Sequence, residues 1–260
     1  MDLLWFLRER LTFIRHFYDQ AVVPFNETKR KINDGEEPFV PSYTEDGEPR
    51  FVEQWIEADQ SVDVLGQHCV SMISTALHLY LDAWLDRFQS TFPKVVLELG
   101  NPYAQTKEDR KERKGWFLIL KGFFEQRLKL PWEESGADVA IIEEVVMARN
   151  TVQHPEFIGF SRAKQTKKDF QKYKQSFFAD EDELRLYQHD DGTFHDWDTP
   201  PWNLKMTREK LESAMVEIER LCAYLEEWFN YARWGQLEEF YRKQRGEEPP
   251  AEAVRASEDR

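Results

Sequence analysis

The sequence predicts an all-α fold, a helical bundle with long antiparallel helices and a small β-hairpin insert. Three observations predict it. Apolar residues recur every three or four positions through several long segments. Prolines and glycines gather between those segments. Aromatic residues make up 14% of the 260 and charged residues 32%, the charges interspersed among the apolar positions. That mixture is globular, and it organises residues 1–240 as one helical domain.

Each element follows from its own pattern. Leu3, Leu4, Phe6, Leu7, Leu11, Ile14, Phe17 and Tyr18 predict a helix over the first 32 or so residues, pausing near Pro24. From Gly35 to Arg50 three prolines and two glycines predict an exposed loop. Val64, Leu65, Cys69, Met72, Ile73, Ala76, Leu77, Tyr80, Leu81, Trp84, Leu85 and Phe88 mark a stripe over roughly 25 residues. It is broad enough to touch more than one neighbour, as a central bundle helix must. Pro93 and Gly100-Asn101-Pro102 then break the pattern.

The mixed-charge run KEDRKERK leads into WFLILKGFFEQRL, read as a core helix ending at Pro131. Ala137 to Arg149 predicts a shorter helix, stopped by Pro155, which lacks a donor and pushes the residue before it out of the helical region. Residues 161–174 carry six basic side chains and one acid. Within the insert at 175–200, ELRLYQHDDGTFHDW alternates on both sides of Asp191-Gly192 and predicts the hairpin. Thr207 opens a last long helix through Leu211, Met215, Ile218, Leu221, Cys222, Leu225, Trp228 and Phe229. Residues 246–260 have little to bury and are expected to be disordered.

Composition narrows the function. The net charge of −14 argues against a surface that wraps nucleic acid broadly, because phosphate binding depends on cationic contacts that displace counterions. Any such contact has to be a local basic patch. The opening MDLLWFLRERLTFIRHF lacks the basic lead and unbroken apolar core of a signal peptide, and no stretch of about 20 residues is free of charge. A cytoplasmic protein without membrane contact is expected. Cys69 and Cys222, among apolar neighbours, read as buried reduced thiols. His189, Asp190, Asp191, His195, Asp196 and Asp198 surround a turn without the rigid spacing of a metal site, and no metal or cofactor is expected. His16, His68 and His78 lie in helical patterns and read as partly buried or surface neutral histidines.

The segment that suggests chemistry is Arg149-Asn150-Thr151-Val152-Gln153-His154-Pro155. On a helix Arg149 and Gln153 lie one above the other with Asn150 beside them. Pro155 permits the last turn to bend the His154 imidazole toward the arginine. Histidine moves protons at neutral pH, and arginine offers a permanently charged fork to phosphate oxygens. These types suit RNA cleavage by the 2′-hydroxyl, for which no metal is needed.

The run RNTVQH, from Arg149 to His154, resembles the Arg-polar-x-x-x-His signature of the HEPN superfamily, with Asn150 in the polar position. The resemblance covers about residues 55–235 in helix order and is sharp only at the motif. It implies a helical bundle with metal-independent endoribonuclease activity in a toxin–antitoxin or defence system. Arg149, Asn150 and His154 would be catalytic, and Asp82 would loosely fill the acid position of the preceding apolar helix. It also implies a homodimer with a composite site, an RNA substrate, and an antitoxin or regulatory partner. Lys164, Lys167 and Lys168 are secondary candidates for substrate phosphates, although such a run is commonly a solvated helix face.

Two plainer readings stand beside this one. Arg149 could pair with Glu143, Glu144 or another acid and, with His154, simply cap a helix C-terminus. The chain could also keep the fold as a non-catalytic interaction protein, which its acidic surface favours.

Overall fold

The computed structural model describes residues 1–40, 50–105, 115–154, 162–165, 177–187 and 202–233. The expected loop at 41–49, the Asp191-Gly192 turn, Lys167, Lys168 and the tail at 246–260 lie outside the described residues. The fold is a helical bundle.

Helix α1 (Leu3–Ala21) starts where the Asp2 carboxylate accepts the Trp5 amide at 2.9 Å. It buries Leu3, Leu7, Leu11, Ile14 and Tyr18 on one stripe. The pause near Pro24 is a break at Val22, after which α2 (Val23–Asp34) carries the proline in its first turn and ends on Gly35 at φ 65°. Helix α3 (Val52–Thr91) is longer at its start than the apolar stripe suggests. The extra turns are held against α2 by Lys29, which pairs with Asp59 at 2.6 Å and lies over the Trp55 ring. Beyond the stripe's end, α4 (Pro93–Leu99) uses Pro93 as its first residue.

Helix α5 (Trp116–Gly122) continues as a π-helical turn over Phe123–Arg127. Helix α6 (Val139–Gln153) is capped by Asp138, whose carboxylate accepts the Ala140 and Ile141 amides at 3.0 and 3.3 Å. Helix α8 (Arg208–Tyr231) is capped by Thr207 and follows a short α7 (Glu181–Tyr187).

Among the described residues the expected hairpin is not present. Its first arm is α7, because the Asp180 carboxylate accepts the amides of Asp182 and Glu183 at 3.1 and 3.3 Å and three acids fill the first turn. Arg185 sits 3.6 Å from Glu181 one turn below. A local cap and dipole-matched charges outweigh an alternation of a few residues. What extended pairing there is among the described residues joins distant segments. β1 (Lys164–Gln165) lies antiparallel to β2 (Trp202–Asn203), with Lys164 opposite Asn203.

Helix α3 is the centre. Cys69, Ile73, Leu77, Leu81 and Trp84 are fully enclosed, each large aliphatic contributing roughly 1.5–3 kcal/mol by burial. Helix α1 runs antiparallel to α8 along the ion pairs Arg8–Glu219, Arg15–Glu212 and Asp19–Arg208. Helices α3 and α8, by contrast, run parallel: Tyr80 donates to the Cys222 carbonyl at 2.9 Å and Trp84 to that of Leu225 at 3.3 Å. A parallel pair requires a long connection, which the intervening segments supply. Both cysteines are buried and free. Among the described residues no helix is long and apolar enough to cross a membrane.

Two adjacent residues of α3 seat the segment leading into α8. Gly66 faces the Met206 backbone so closely that an added Cβ would lie 2.5 Å from the Met206 carbonyl oxygen. The buried Gln67 amide accepts the Ala163 N–H at 2.9 Å and donates to the Leu204 carbonyl at 3.0 Å. Gly66→Ala therefore has to displace backbone. It is expected to lower the unfolding free energy by about 1–3 kcal/mol, read as a lower urea midpoint at unchanged slope. A midpoint equal to wild type would show that the approach is not tight.

Candidate functional site

The RNTVQH run sits at the C-terminal end of α6. The helix stays regular through Gln153, and only His154 leaves it, at φ −127° and ψ 64°, while its N–H still reaches the Asn150 carbonyl at 3.0 Å. A residue preceding proline is disfavoured in the helical region, which accounts for the stop.

Arg149 is partly buried, and its Nη1 donates to the Asn150 Oδ1 at 2.9 Å. That is a bond to a neutral amide. Four of the five guanidinium N–H donors are uncommitted by it. His154 is exposed, and its ring makes no hydrogen bond among the described residues. The guanidinium and the imidazole share one helix end, and no hydrogen bond joins them among the described residues.

Neither acid proposed as an alternative partner holds Arg149. The Glu144 carboxylate accepts the backbone amides of Phe177 and Phe178 at 2.8 and 3.4 Å, and so ties α6 to the following segment. Glu143 is partly buried. Burial raises its carboxyl above the ordinary carboxylate range, and the nearby Lys121 offsets this only in part.

The other candidates are dispersed. Asp82, the acid suggested by the resemblance, accepts a hydrogen bond from the Tyr103 hydroxyl and lies 3.6 Å from His78, whose ring stacks on Trp116. It makes no contact with Arg149 or His154. Lys164 belongs to β1, which packs against α6. Arg162, in the same basic run, is committed to Asp63 at 2.7 Å. The Asp63 carboxyl is nonetheless raised, because desolvation outweighs the arginine.

A groove of about 730 Å³ lies between α1 and α3 and ends at Gln153. Its α1 wall is aromatic, with Phe6, Phe13 and Phe17; its α3 wall carries His68, Ser71, Met72 and Thr75. Phe6 and Phe17, two of the apolar residues whose spacing predicts α1, are 49% and 39% exposed. The signal was in the sequence: α1 holds more apolar residues than one buried stripe can take. His16 and His68 are exposed and His78 partly buried. Among the described residues no group of three or more metal-ligating side chains assembles.

No protein-family model, curated protein or solved structure matches the chain.

The Glu143 environment gives a signed expectation. Folding raises this acid's pKa, so its contribution favours the fold at low pH and is lost as the pH rises through the folded value. At pH 7 the ionised side chain opposes folding. Glu143→Gln should raise the urea midpoint at pH 7, and the gain should vanish near pH 3, below the ordinary carboxylate pKa of about 4.3. An equal change at both pH values would assign the effect to packing rather than charge.

Proposed function

We propose that the chain is a metal-independent endoribonuclease of the HEPN type, with Arg149, Asn150 and His154 as its catalytic residues. The observation that carries this reading is a guanidinium bonded to a neutral amide, on the same helix end as an exposed imidazole. A structural arginine near acids would be expected to spend its charge on them.

In the reaction, the RNA 2′-hydroxyl attacks the adjacent phosphorus as its proton passes to an imidazole nitrogen. The 5′-oxygen leaves with a proton, giving a 2′,3′-cyclic phosphate and a 5′-hydroxyl. The Arg149 fork faces the non-bridging oxygens, where charge develops, and Asn150 fixes its orientation. One histidine serves as base; a second, from another copy, would serve as acid. This is the chemical reason for proposing a homodimer with a composite site. Lys164, with Lys167 and Lys168, is assigned to flanking phosphates. We place the activity in a cytoplasmic toxin or defence system held in check by an antitoxin or regulatory protein.

The competing reading is a non-catalytic helical interaction protein. The net charge of −14 and the exposed aromatic face of α1 favour it.

Incubation with labelled tRNA or a mixed RNA pool in EDTA separates the two. Cleavage should persist in EDTA, and His154→Ala and Arg149→Ala should each slow it by about 10²–10⁴-fold with unchanged urea midpoints. Either variant cleaving at the wild-type rate would remove that residue from the mechanism. A folded wild-type protein that cuts no RNA would favour the interaction reading.

A further inference from the structure

We propose that the groove between α1 and α3 holds a nucleobase of the RNA strand beside the scissile phosphate. The inference rests on the ribonuclease reading and names the part of the substrate that its neighbouring surface grips.

The two walls of the groove differ in kind. From α1 come ring faces: Phe13 is 61% exposed, and its ring lies within 20° of parallel to that of Phe17, with centroids 6.4 Å apart. From α3 and α6 come hydrogen-bonding groups, His68, Ser71, Thr75 and Gln153. A base presents a flat face for stacking and an edge for hydrogen bonds, and single-stranded RNA is read in that way. The volume of about 730 Å³ lies within the roughly 300–1,000 Å³ of small-ligand sites.

The Ser71 and Thr75 hydroxyls donate to the Gln67 and Ser71 carbonyls of α3 at 3.2 and 2.9 Å, while the other polar groups of the groove are uncommitted. Arg8 and Arg15 on α1 are paired with Glu219 and Glu212, whereas Arg10, which lines the groove between them in sequence, makes no ion pair among the described residues. The side chains of Glu9, His68 and Gln153 likewise make no hydrogen bond there. Arg10 suits a phosphate oxygen, and Glu9 an amino group on a base edge.

Position links the groove to the chemistry. Gln153 lines it and stands one helical turn from Arg149, about 5–6 Å along α6, and next to His154. A strand whose phosphate meets Arg149 therefore passes the mouth of the groove with its next base.

The test uses a short mixed-sequence 2′-O-methyl oligonucleotide, which the proposed chemistry cannot cut, with binding read by fluorescence anisotropy. Cleavage of unmodified RNA is measured alongside. Phe13→Ala and Phe17→Ala should each weaken binding by about 5- to 150-fold, the range of loss of one stacked base. They should raise KM and leave kcat near wild type, with Phe13→Tyr restoring binding. Phe13 is exposed, so the urea midpoint should not move. If both alanine variants bind and cleave as wild type while Arg149→Ala is inactive, the groove assignment fails and the ribonuclease reading survives. If the oligonucleotide binds in a Phe13-dependent way but nothing is cleaved, the base site stands and the ribonuclease reading fails. A wild-type protein that binds no oligonucleotide, but forms a dimer that Phe13→Ala dissociates, makes the face a protein interface and overturns the proposal.

Discussion

The clamp at Gly66 and Gln67 is the constraint on which the arrangement depends. A missing side chain lets the Met206 backbone reach α3, and the next residue binds two strand-like segments through one buried amide. Those segments connect α6 to α8, so the clamp fixes where the final helix begins and makes it run parallel to α3. Removing the amide would leave a buried donor and acceptor unmatched, at a cost of about 1–3 kcal/mol. The same stretch of α3 then continues as His68, Ser71, Met72 and Thr75, which line the groove. Core geometry and candidate surface are consecutive faces of one helix.

Around this centre most charged groups answer one another. Arg87 meets Glu226 at 2.7 Å and covers the Phe229 ring, Arg162 meets Asp63, and Glu144 holds the amides at 177 and 178. Against that background Arg149, His154 and Arg10 stand out, because none forms an ion pair among the described residues. A cation that the fold leaves without an anion, at a helix end beside an aromatic groove, is suited to an anion from outside.

The helices were legible from three- and four-residue spacing, and the end of α6 was legible from Pro155. The RNTVQH run singled out Arg149, Asn150 and His154 as candidates from residue type and spacing alone. Other features were hidden for physical reasons. Leu184 and Leu186 alternate as in a strand, but the Asp180 cap lies outside that alternation and decides for helix. Phe6 and Phe17 carry the same hydropathy whether they face the core or solvent, so spacing alone could not exclude them from the stripe. Gln67 is a polar residue within the apolar stretch of α3, and its partners lie 96 and 137 positions away. The parallel course of α3 and α8 is set by such distant bonds, which no local pattern records.

The acid balance shapes how this surface could hold RNA. With a net charge of −14, long-range attraction is weak, and few cations are available to release counterions. Affinity has to come from short-range terms that salt hardly screens, chiefly ring stacking and hydrogen bonds to base edges. On the proposed reading, the aromatic rings and the uncommitted polar groups of the groove would supply those terms, while Arg149 would need only to meet a single phosphate. On an acidic protein this division favours unpaired bases over duplex, because a duplex hides base faces and offers mainly phosphates. The charge that argues against broad nucleic-acid binding thus agrees with a site that grips one exposed base and one phosphate.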